Sequence, residues 1–134
     1  MSTRHRLVQP AHWRAPRGYS NAVAANGTLV FLAGQIGWNE EQHLVCEDFA
    51  GQTEQALRNV VTVLQAAGGA PGDIVRMTWY VTNRAEYLSA RQTIGQAYRR
   101  IIGGFYPAMT LVEVAALLED GAKIEIEATA VIPP

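Results

Sequence analysis

The chain has 134 residues, 11 Lys plus Arg against 12 Asp plus Glu, 49% hydrophobic residues and a single cysteine. That length suits one globular domain with its own core, because domains of roughly 100–150 residues bury about two-thirds of the surface that the open chain exposes. One cysteine excludes a scaffold of internal disulfides, and a net charge of −1 argues against a protein that coats nucleic acid or an anionic membrane, since such partners need a basic excess.

Residues 1–18 read as an irregular arm, basic but without the apolar core of a signal peptide, and nowhere do 18 apolar residues run together. The expectation is a cytoplasmic chain, one domain over 1–134, that does not enter a membrane. From Ser20 the pattern sharpens. Ala22–Ala25 and Thr28–Ala33 are short apolar runs separated by Asn26-Gly27, the dipeptide suited to a type I′ turn, so an antiparallel hairpin is predicted there.

After a loop carrying Trp38, His43 and Cys46, a helix is predicted over roughly Asp48 to Ala67, with Phe49, Ala56, Leu57, Val60, Leu64 and Ala67 on one stripe. Gly68-Gly69 and Pro71 end it. Asp73–Thr82 is rich in β-branched and aromatic residues and reads as a strand, with Val75, Met77, Trp79 and Val81 alternating against Arg76, Thr78 and Tyr80. Asn83-Arg84-Ala85-Glu86 resembles a capping box that opens a second helix, on which Tyr87, Ala90, Ile94, Ala97, Tyr98 and Ile101 keep helical spacing up to Gly103-Gly104. Thr110–Ala116 and Lys123–Ile132 read as two closing strands.

The predicted order is β-β-α-β-α-β-β, an α+β class with a mixed sheet and both helices on one face. The other face then lacks cover. The last strand sets Glu125, Glu127, Thr129 and Val131 on the side away from Ile124, Ile126, Ala128 and Ala130. A face mixing apolar groups with carboxylates suits contact with further copies of the chain.

The three histidines and Cys46 show no metal-ligand spacing, and no GxSxG elbow, P-loop or GxGxxG occurs. Neither metal nor cofactor is expected. Cys46 has no basic neighbour close in sequence and reads as an unreactive thiol. The remaining candidates are carboxylates on strands. Glu125 and Glu127 stand two residues apart on one face, roughly 6.6 Å along the strand. They are either solvated or, where one is buried, a proton shuttle. Glu113 is open in the same way: it faces water or is paired.

The combined pattern is Gly18-Tyr19-Ser20, VFLAGQIG (30–37), AAGGAPGDIVRMTWYVT (66–82), YPAMTLVEVAAL (106–117) and KIEIEATAV (123–131). It resembles the Rid family of reactive-intermediate deaminases, also called YjgF-like or L-PSP proteins, over nearly the whole chain. The resemblance implies a chorismate-mutase-like (YjgF-like) fold in a homotrimer, with a small-molecule pocket at each subunit interface. It also implies hydrolysis of enamines or imines to keto acids and ammonia without a cofactor.

Carried over residue by residue, the resemblance makes Tyr19 the pocket tyrosine, Gly34 the backbone contact and Glu125 the glutamate that handles water. Arg91 stands where the family often has asparagine. Met109 stands where the deaminases carry the arginine that binds the substrate carboxylate, and Leu111 replaces a frequent cysteine. A thioether cannot make the bidentate, charge-assisted contact of a guanidinium. With Leu111 and Trp38, Met109 suggests a pocket for a more apolar ligand, and Arg91 or Arg17 is a candidate to restore a guanidinium. Three functions follow as expectations: an enamine or imine hydrolase that departs from the usual small 2-imino acids, a trimeric binding or regulatory protein, and a ribonuclease or translation inhibitor. The last lacks a histidine acid–base pair and a basic stripe in this sequence.

Overall fold

The structure, a computed structural model, describes residues 2–134. Three strands precede the first helix: β1 (Arg6–Val8), β2 (Ala22–Ala24) and β3 (Thr28–Gln35). α1 (Phe49–Ala66), β4 (Ile74–Val81), α2 (Arg84–Ile101), β5 (Ala108–Glu113) and β6 (Ile124–Ile132) complete the chain. A four-stranded mixed sheet runs β3-β6-β4-β5, in which β6 is antiparallel to both neighbours and β4 pairs parallel with β5. The α+β class predicted from the sequence is the one observed.

The N-terminal part differs from expectation twice. The arm is not wholly irregular, because β1 pairs antiparallel with β2 in a separate two-stranded sheet, Leu7 opposite Val23. Asn26-Gly27 does not close a hairpin: β2 pairs with β1, whereas β3 pairs with β6. A Cβ on Gly27 would lie 2.0 Å from the carbonyl oxygen of Ile132, and its φ is +148°. The glycine is needed for close passage over the end of β6, a long-range demand that mimics a local turn signal.

α1 begins at Asp48, whose carboxylate accepts from the Gly51 amide at 2.8 Å. Its buried stripe is Phe49, Ala56, Leu57, Val60 and Leu64, whereas Ala67 lies beyond the last turn and is exposed. Gly68 takes φ +88° and the Gly69 amide returns to the Leu64 carbonyl at 3.0 Å, satisfying groups that the helix end orphans. On β4 the register shifts between Ile74 and Arg76, so Ile74 rather than Val75 enters the core beside Met77, Trp79 and Val81. At the start of α2 Asn83 accepts from the Glu86 amide at 3.0 Å. Only that half of the capping box forms, because the Glu86 carboxylate turns to Lys123, 3.5 Å away.

Both helices pack on one sheet face. Ile124, Ile126, Ala128 and Ala130 of β6 are buried there with Leu57 and Leu64 of α1 and Ile94 and Tyr98 of α2. The opposite face leaves Phe31 76% and Leu29 58% exposed beside Glu127 and Tyr80. Among the described residues no helix is long and apolar enough to cross a membrane.

Candidate functional site

Gly18-Tyr19-Ser20 is fastened to the segment that enters β5. The Ser20 amide donates to the Pro107 carbonyl at 2.9 Å, its hydroxyl donates to the Tyr106 carbonyl, and Ser20 bridges Ala108. This tie brings Tyr19 beside the start of β5. Met109 and Leu111 of β5 lie opposite Met77 and Trp79 of β4. Because Met77 and Trp79 are buried under the helices, Met109 and Leu111 also point to the helix side of the sheet.

α2 crosses above them with Tyr87, Arg91, Ile94 and Tyr98 on one face, at the i, i+4, i+7, i+11 spacing of a single stripe. Between α2, β5 and the Arg17–Tyr19 segment lies a cavity of about 330 Å³. Four of the six residues singled out from the sequence line it: Tyr19, Arg91, Met109 and Leu111. Arg17 lines it as well.

The floor is aromatic. Trp79 and Tyr98 are each 3% exposed. Tyr106 stacks on Tyr98 with ring centroids 5.0 Å apart and planes 17° from parallel. The Tyr98 hydroxyl donates to the Phe105 carbonyl at 2.9 Å, and burial pushes its pKa well above the ordinary phenol value, so it stays a neutral donor. The Trp79 Nε1–H is enclosed and has no acceptor among the described residues. The two arginines are exposed at the mouth, and neither forms an ion pair among the described residues.

Glu125 and Gly34 are not part of this cavity. Glu125 pairs with Tyr80, whose neighbours Trp79 and Val81 face the helices, so Glu125 lies on the open face. The register shift of β3 between Leu32 and Gln35 places Gly34 against it: a Cβ there would come within 2.8 Å of the Glu125 carboxyl group. A side chain at position 34 therefore has no room unless the carboxylate moves. On the same face Tyr80 donates to Glu127 at 2.7 Å, and that hydrogen bond to a carboxylate raises the Tyr80 pKa. The chain thus carries its candidate residues in two groups on opposite faces of one sheet.

The other candidates resolve plainly. Glu113 accepts from the Arg84 amide at 2.7 Å and so fastens the start of α2. The Cys46 thiol contacts the Asp48 carbonyl, and burial first, then Asp48, pushes its pKa up, away from thiolate chemistry. Trp38 does not join the cavity; it bridges Leu44 in the loop after β3. No group of three or more His, Cys, Asp or Glu gathers among the described residues. Sequence reasoning missed the aromatic floor, although the α2 stripe from Tyr87 to Tyr98 was the signal for part of it. Trp79 was signalled only by the alternation of β4, and Tyr106 carried no comparable signal.

Comparison with known proteins agrees with this architecture. The family model described as Endoribonuclease L-PSP matches residues 11–132. The 2-iminobutanoate/2-iminopropanoate deaminase of Salmonella typhimurium is 38% identical over 105 residues, covering 78% of this chain and 80% of the relative. A crystal structure of YyfB from Yersinia pestis, a protein of unknown function in the Rid family, superposes with a TM-score of 0.85 at 34% identity, covering 96% and 98% of the two chains. Escherichia coli TdcF with bound serine superposes with a TM-score of 0.67 at 33% identity, covering 88% and 91%.

Proposed function

Because the chain belongs to the Endoribonuclease L-PSP family, the Rid or YjgF-like proteins, we propose that it is a single-domain, cofactor-independent hydrolase of reactive imines or enamines. The observation that carries this reading is the adjacency of Gly34 and Glu125, a carboxylate held over a strand at a position where no side chain fits. Relatives named as deaminases of 2-iminobutanoate and 2-iminopropanoate support it.

In the proposed reaction a water oxygen attacks the imine carbon and the C–O bond forms. Glu125 takes one water proton and passes it to the imine nitrogen as the C=N π bond opens to a carbinolamine; it then relays the carbinolamine hydroxyl proton to the same nitrogen as the carbonyl forms and the C–N bond breaks to release ammonia. The half-sites of one chain lie on opposite sheet faces, so the working site is completed between copies, in a homotrimer whose subunits meet through the open face. The exposed Phe31 and Leu29 on that face support this assembly. Met109 stands where the family's arginine would bind a small substrate carboxylate, which directs the enzyme away from the smallest 2-imino acids.

The test is Glu125→Gln, assayed on imines generated in solution by an amino acid oxidase. The rate should fall roughly 100-fold or more, the scale of a lost general base. Equal rates for variant and parent would remove Glu125 from the mechanism. The apolar Met109 also favours a second reading, a binding protein without turnover, which predicts ligand-induced thermal stabilisation and no acceleration by either form. The cavity holds no histidine, so RNA cleavage lacks its usual acid–base pair there.

A further inference from the structure

We infer that the cavity selects carboxylates bearing an aromatic side chain, which in the deaminase reading on which this rests are 2-imino acids of aromatic amino acids. The cavity is graded from its floor to its mouth. Trp79, Tyr98 and Ile94, none more than 5% exposed, form a floor that carries no charge. Half-buried Tyr106 adds a second aromatic plane parallel to Tyr98. Met109 supplies a polarisable thioether, a favourable neighbour for a ring edge.

All the charge of the lining is on two exposed side chains, both positive. Arg17 and Arg91 are exposed at the mouth, come from the arm and from α2 respectively, and are free of ion pairs among the described residues. A guanidinium at position 109 would read a carboxylate from within the wall itself. With Met109 there, the cations are displaced outward, and a ligand must span from mouth to floor to use both. A two- or three-carbon acid satisfies the charge or fills the floor, but not both. A flat ring bearing a short carboxylate arm does both, and the volume of about 330 Å³ admits one. Burying the ring supplies affinity through the hydrophobic effect, while a charge-assisted contact at the mouth supplies orientation.

The experiment is calorimetric titration of the whole protein with 3-phenylpropanoate, propanoate and the uncharged 3-phenylpropanamide, beside turnover of the imines made by an amino acid oxidase from phenylalanine and from alanine. The expected result is binding of 3-phenylpropanoate at least about tenfold tighter than either comparison compound, with kcat/KM higher for the phenylalanine imine. The double variant R17A/R91A should lose about tenfold in affinity for 3-phenylpropanoate and none for the amide. Equal binding of propanoate, equal binding of the amide, or an unchanged double variant would overturn the inference. Brisk turnover of the alanine imine without discrimination would overturn the aromatic class and leave the deaminase reading standing. Selective binding of 3-phenylpropanoate without turnover of either imine would do the reverse.

Discussion

Gly27 and Gly34 look alike in sequence as small residues bordering or within a strand, yet they answer different constraints. At Gly27 the obstacle is backbone, the Ile132 carbonyl, and the positive φ adds strain for any L side chain. Gly27→Ala should therefore destabilise the fold by roughly 1–3 kcal/mol from strain alone, with the clash adding to it. A lower midpoint in urea at unchanged slope would show this; an unchanged midpoint would mean that the end of β6 moves aside freely. At Gly34 the obstacle is the far end of the Glu125 side chain. Position 34 thus bears on where the carboxylate sits more than on whether the chain folds. Neither distinction is visible in the residue type, because both obstacles lie about 90 or more positions away along the chain.

At the scale of elements, α2 does two jobs with two faces of its sequence. Its N-terminus is held by Asn83 and by the Glu113 carboxylate on the Arg84 amide, and its inner stripe lines the cavity. Asn83→Ala removes one cap and should cost about 1 kcal/mol, read as a fall of a few degrees in Tm at fixed protein concentration. Because the cap lies two turns or more from Arg91 and Tyr98, ligand affinity should be preserved in the same variant. The helix, its cap and its apolar spacing were all legible in the sequence, since they depend on contacts three or four residues apart. The partner of Glu86 was not: Lys123 competes with the local capping box from the edge of β6. The pairing of β1 with β2 was likewise unreadable, because three-residue strands carry too short an alternation to stand out from an arm.

Over the whole molecule, the sheet has one face built for helices and one left open. The open face presents Phe31, Leu29 and Val112 together with Tyr80 and Glu127. An exposed apolar group of this kind marks a contact surface, and the proposed trimer uses it. Phe31→Lys should convert the assembly to smaller species in light scattering. If the site is completed between copies, imine turnover should fall in parallel while circular dichroism stays unchanged. Full activity in a dispersed monomer would show that one chain suffices.

The ordered motifs from Gly18 to Val131 were enough to identify the family and the α+β class, and periodicity placed both helices and every strand of the main sheet. These features rest on short-range spacing and on alternation, which a linear chain displays directly. Which sheet face each candidate residue occupies relative to the others was decided only by tertiary structure. Met109, Leu111, Arg91 and Tyr19 converge on one cavity, while Glu125 and Gly34 stand on the opposite face. That partition depends on strand order and register, set by packing of distant segments, and it is what separates a cavity on the helix side of the sheet from a carboxylate on its open face.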